Sequence, residues 1–106
     1  MNTLKFGNVT VDTFKTKKAQ QVFRAFNHKL RQVILEKIQE KSNHITVTEL
    51  YVLLRLEQSV CSQHLAILRK AGFVKTQRDG KFIYYSVDAT GLKRMQDAAD
   101  FLLNLK

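Results

Sequence analysis

The sequence predicts an α+β domain, mainly α with a β-hairpin, whose elements run in the order α-α-β-α-α-β-β-α. Three observations predict it. Apolar residues recur at helical spacing in five separate segments. A three-residue break, Arg55-Leu56-Glu57, separates two of those segments. Asp79-Gly80 then stands between two β-prone runs, the strongest short-range signal for a hairpin.

Residues 1–12 mix polar and apolar side chains without a sustained period and are expected to form a flexible N-terminal arm. The first helix begins near Thr13, with Phe14, Val22, Phe23 and Phe26 on an apolar stripe and Lys15, Lys17, Lys18 and Arg24 on the other faces. Asn27 and His28 interrupt it, and Leu30, Val33, Ile34, Leu35 and Ile38 make a second helix. Ser42 and Asn43 are turn residues, and Ile45-Thr46-Val47 is enough for a short strand. Thr48-Glu49 reads as the start of the third helix, carried by Leu50, Leu53 and Leu54. The fourth opens at Gln58 or its neighbour and runs to about Lys70, with Gly72 suited to the left-handed position beyond its end. Phe73 to Arg78 and Lys81 to Val87 are the hairpin strands, with Asp79-Gly80 as the loop. Asp88 suits the N-cap of a last helix. Two helices joined by about three residues and followed at once by a hairpin form a winged helix-turn-helix, spanning residues 13–106.

The 106 residues suffice for one domain with a modest core. Eighteen Lys and Arg against nine Asp and Glu leave a net charge of +9, which on so small a body implies a polyanionic partner; solubility alone is the plainer alternative. The single cysteine, Cys61, excludes an internal disulfide. No apolar run approaches the roughly 18–20 residues of a membrane span, and Met1 to Val11 lack the apolar stretch of a signal peptide. A cytoplasmic location and no membrane partner are therefore expected.

On a helical wheel, residues 58–71 divide into two sides. Cys61, Leu65, Leu68 and Ala71 fall together, flanked by Val60 and Ile67. Ser59, Ser62, Gln63, Ala66 and Lys70 fall opposite, and that side carries no acid. Gln pairs with adenine through two hydrogen bonds, Ser bonds several bases, and a small Ala permits close approach to a thymine methyl. Gln58, Ser59, Ser62, Gln63 and Ala66 are thus the expected base-reading residues, with Arg69 and Lys70 one turn on for phosphates. The competing reading is the solvated face of an ordinary amphipathic helix. His64 flanks the apolar stripe and is read either as a packed histidine or as a phosphate contact. A Cys61/His64 metal site lacks the third and fourth ligands that zinc requires.

Lys75, Arg78 and Lys81 place three cations at the hairpin, near its tip. They read as a basic finger on the phosphate backbone or in a minor groove, or as charges that protect a sheet edge. No Ser/His/Asp or Cys/His set with a third member and no glycine-rich phosphate loop is visible, so neither an enzyme nor a bound cofactor or metal is expected.

The run Gln58-Ser59-Val60-Cys61-Ser62-Gln63-His64-Leu65, with Leu68 to Val74, Arg78 to Lys81 and Tyr84-Tyr85, closely resembles the ArsR-type family of bacterial winged-helix repressors. Phe23 to Phe26 and Leu30-Arg31 resemble that family's early-helix pattern, so the likeness runs from about Lys18 to Leu105. It implies a homodimer built from the first and last helices, binding to a double-stranded DNA operator, and repression relieved by an effector. The expected interface is Phe14, Val22, Leu92, Met95, Ala99, Leu102 and Leu105, because one small domain cannot easily cover the long apolar stripe of the last helix. Tyr51 and Leu53 stand where metal-sensing members carry paired cysteines, and the last helix has no His. The expectation is a sequence-specific DNA-binding regulator, a homodimeric repressor without the family's usual metal sites. The alternative is a winged-helix module for protein or RNA.

Overall fold

The computed structural model describes residues 2–104. Residues 3–12 form a hairpin rather than the loose arm expected of the first twelve residues: β1 (Thr3–Phe6) pairs antiparallel with β2 (Val9–Asp12) around Gly7-Asn8. Gly7 holds φ of 64°, open to glycine at no steric cost. Asp12 then caps α1 (Thr13–Phe26), its carboxylate accepting from the amides of Phe14 and Lys15. The cap satisfies donors that a helix start leaves orphaned.

After the corner at Asn27 and His28, α2 (Lys29–Glu40) supplies the centre of the core with Ile34, Leu35 and Ile38. Ser42 and Asn43 both turn left-handed, at φ 61° and 55°. Asn43 reaches across to accept the Val87 amide, which anchors the turn to the sheet. The short strand β3 is Ile45–Thr46, one residue shorter than expected. The third helix, α3 (Val47–Leu54), starts one residue before the Thr48-Glu49 expected and is capped by Thr46. Thr46 and Glu49 form a reciprocal capping box, which satisfies two orphan donors at once.

Arg55 in a left-handed conformation turns the chain into α4 (Gln58–Lys70). That helix ends in a Schellman arrangement: the Phe73 amide donates to Leu68 and the Gly72 amide to Arg69, with Gly72 at φ 88°. The wing strands β4 (Val74–Asp79) and β5 (Phe82–Val87) pair antiparallel, and β3 adds to β5, giving the order β3-β5-β4. Asp79 pairs with Phe82, so the loop is Gly80-Lys81, one residue later than the Asp79-Gly80 loop expected. Only Gly80 of the two has positive φ, which is the type II′ pattern with glycine first.

Asp88 caps α5 (Ala89–Leu103), accepting from Thr90 and Gly91. The core comprises Ala25, Ile34, Leu35, Ile38, Ile45, Leu50, Cys61, Leu65, Leu68, Phe73 and Val74. Phe26 closes its edge against Phe73, ring edge to face, at 5.9 Å. Only Ala25 of α1 and Gly91 of α5 are fully buried, so the first and last helices flank the core.

Candidate nucleic-acid interface

The fourth helix divides as its sequence requires. Cys61, Leu65 and Leu68 are buried, while Gln58, Ser59, Ser62, Gln63 and Ala66 are exposed. Burial of the apolar side holds the helix on the core, and the polar side is left for a partner. Nothing acidic interrupts Gln58 to Lys70. The side chain of the N-cap residue Glu57 does not cap α4, and a helix start presents its first amides as donors.

The wing lies alongside. Ser62, Leu65, Ala66, Arg69 and Lys70 share a groove of about 420 Å³ with Tyr85 of β5. The strand register explains why Tyr85 faces α4. Val74, Thr76, Tyr85 and Val87 lie on the inward side of the ribbon, and Arg78 and Ile83 carry that side out to the tip. Arg78 Nε donates to the Gly80 carbonyl at 3.2 Å, and the Lys81 ammonium sits 5.5 Å from the Phe82 ring centre. Lys75 departs from the expected cluster: it pairs with Ser86 near the base of the wing, on the opposite side of the ribbon from Arg78. The tip therefore carries two cations, Arg78 and Lys81. Tyr84 is held in place by its stack on His44, with ring centres 3.8 Å apart.

His64 turns away from this groove. Its Nδ1 accepts from Arg31 Nε of α2 at 3.2 Å, and its ring lies 4.9 Å from that of His28. Burial, His28 and Arg31 together depress its pKa below the ordinary value of 6.5. The Arg31 guanidinium also donates to the Arg24 and Ala25 carbonyls at the end of α1. It thereby ties three helices together. Sequence reasoning placed Arg31 in the early-helix pattern but gave it no bracing role, because its partners are six to 33 positions away.

A second basic feature was also missed. Lys18 and Arg24 of α1, Arg31 of α2 and Lys70 of α4 line a cleft of about 280 Å³ floored by Val22, Ala25, Ile67 and Ala71. Ile67, expected on the flank of the apolar stripe, is 39% exposed and faces this cleft. The cleft places further cations beside the C-terminal end of α4.

The residues expected at a dimer interface divide into two groups. Val22, Leu92 and Met95 pack half-buried against the chain's own core. Ala99 is half-buried, while Phe14 and Leu102 are more than half exposed; Leu105 lies outside the described residues. Among the described residues no three of His, Cys, Asp and Glu converge as a metal site, and no helix is long and apolar enough to cross a membrane.

Residues 28–76 match the family described as bacterial regulatory protein, arsR family. The chain is also 32% identical over 95 residues to the uncharacterized HTH-type transcriptional regulator YbzH of Bacillus subtilis, covering 77% of this chain and 92% of that relative. This chain belongs to the ArsR family. A second relative in Bacillus subtilis, the transcriptional repressor SdpR, is 32% identical, with 78% of this chain and 87% of SdpR covered. The crystal structure of the transcriptional regulator HlyU from Vibrio vulnificus superposes with a TM-score of 0.60 and 31% identity, covering 84% of this chain and 91% of that one. The ArsR membership makes the chain a winged-helix transcriptional regulator and not an enzyme. It also makes α3 and α4 the helix-turn-helix, α4 the recognition helix and the β4–β5 ribbon the wing.

Proposed function

We propose that this ArsR-family regulator is a cytoplasmic homodimeric repressor that binds an imperfect inverted repeat in double-stranded DNA. The observation that carries the reading is the exposed, acid-free side of α4 sharing one groove with the wing. Ser59, Ser62, Gln63 and Ala66, with Gln58 at the helix start, read base edges in the major groove. Arg69 and Lys70 at the end of α4, and Lys75, Arg78 and Lys81 on the wing, neutralise phosphates and set the register. The +9 net charge supports a polyanionic partner. The relative SdpR is a repressor by name, which supports that sign of regulation here. His64 takes part by bracing α4 against α2 through Arg31. No metal enters the mechanism.

Binding is tested by fluorescence anisotropy with duplexes that vary half-site spacing and sequence. Tight binding is expected only for half-sites about one helical turn apart, roughly 10 base pairs centre to centre, and affinity should fall steeply with salt as Lys and Arg release counterions. Equal affinity for every duplex at physiological salt would refute the reading and favour a protein- or RNA-binding module.

A further inference from the structure

The N-terminal hairpin has one polar and one apolar side. Leu4 pairs with Val11 and Phe6 with Val9, so these four side chains share one face of the ribbon, while Thr3, Lys5, Thr10 and Asp12 share the other. Most of the apolar face is uncovered: Leu4, Phe6 and Val9 are 53%, 63% and 60% exposed, and Val11 is half-buried. The two strands form a sheet of their own, separate from β3-β5-β4. An isolated two-stranded ribbon is marginal in water, and an apolar face of this kind is stable when something packs on it.

Two observations identify the cover. First, the hairpin is continuous with α1. Asp12 is both the last residue of β2 and the cap of α1, and the Thr13 amide donates to the Asn2 carbonyl at 2.7 Å. No linker lets the hairpin swing back over its own core, and Phe14, immediately beyond, is exposed as well. Second, the chain is extended for its size. Its radius of gyration is 16.8 Å, against about 13 Å for a compact domain of this length. The buried core lies between Ala25 and Val74, while the hairpin, the first half of α1 and the apolar end of α5 at Phe101, Leu102 and Leu103 stand outside it. A chain with two uncovered apolar ends and a self-sufficient centre is the shape of one half of a symmetric pair.

We infer that the β1–β2 hairpin is a dimer clasp, its Leu4/Phe6/Val9/Val11 face packing on a second copy of this chain. The inference rests on the homodimer proposed above and extends that interface beyond the first and last helices.

Sedimentation velocity across a concentration series tests it with wild type, a Phe6→Ser/Val9→Ser variant and Leu102→Glu. The hairpin variant removes only exposed apolar surface, so its helical circular dichroism and thermal melt report that the core is folded. The expected result is a dimer for wild type and a dissociation constant at least tenfold higher for the hairpin variant. A wild-type dimer whose dissociation constant the hairpin changes leave unaltered overturns the clasp alone. A wild-type chain that stays monomeric at tens of micromolar overturns the dimer reading itself. Amide hydrogen exchange over residues 3–11 provides an independent readout. Protection should rise with the dimer fraction and be absent in the Leu102→Glu monomer. Protection independent of concentration would mean the chain covers its own hairpin, and no protection in a wild-type dimer would mean a different partner does; either overturns the clasp.

Discussion

Arg31 on α2 donates through Nε to Nδ1 of His64 on α4, 33 residues away, at 3.2 Å. The bond needs a neutral imidazole with its proton on Nε2, since a protonated ring has no acceptor to offer. The recognition helix is thus braced by a hydrogen bond that lasts only while the His64 ring stays neutral.

Stability should therefore fall on mild acidification. Burial first, then His28 and Arg31, lower the His64 pKa below 6.5. The unfolded chain takes up this proton near its ordinary pKa, the folded chain only at lower pH, so stability is lost as pH drops through that window and levels off below it. His64→Gln keeps an acceptor for Arg31 and removes the titration. Thermal melts between about pH 7.5 and 5 should show a smaller loss for His64→Gln than for wild type. Parallel losses in the two proteins would show that His64 does not contribute.

Helix and wing substitutions should separate specificity from affinity. Gln63→Ala or Ser62→Ala should narrow the gap between operator and random DNA by about 1–3 kcal/mol. Arg78→Ala or Lys81→Ala should weaken both alike and flatten the salt dependence. Competition anisotropy at two salt concentrations distinguishes them. Wing variants that changed base preference while helix variants did not would reverse the roles.

Gly91→Ala should destabilise the fold without touching the DNA surface. A Cβ at Gly91 would collide with the backbone carbonyl of Gly72, which follows the recognition helix. A backbone neighbour in a Schellman turn yields little, so the loss should be about 1–3 kcal/mol, as for overpacked cores. Urea titration measures it, and a midpoint equal to wild type would show that α5 can shift.

Zinc and thiol oxidation should change operator affinity less than tenfold. Cys61 is fully buried, and burial pushes its thiol pKa up, which lowers its thiolate fraction and reactivity. A bridge between subunits is remote, because recognition helices that enter successive major grooves lie about 34 Å apart and a disulfide needs Cα atoms within about 7 Å. Operator titrations with zinc, with chelator and with mild peroxide test this, and a tenfold change under any of them would reveal a sensor site.

The local elements were legible in the sequence because their energetics act over a few residues. Asp88 and Gly72 mark helix ends through caps that span two to five positions, and the apolar period of residues 58–71 alone decides which side of α4 is exposed. Two local signals were present but not used. Gly7-Asn8 between alternating Leu4, Phe6, Val9 and Val11 is a hairpin pattern, and Thr46 with Glu49 is a capping box. Only tertiary structure decided the rest. The one-residue shift to a Gly80-Lys81 loop put Arg78 opposite Ile83 and Val74, Thr76, Tyr85 and Val87 on the inward side, because strand register is settled by which face the core buries. His64 found Arg31, and Lys18, Arg24, Arg31 and Lys70 met around one cleft, through the packing of three helices. The apolar stripe of α5 divided at about Met95, the part nearer its start packing on the core and the end left open, because the small core reaches only that far along the helix.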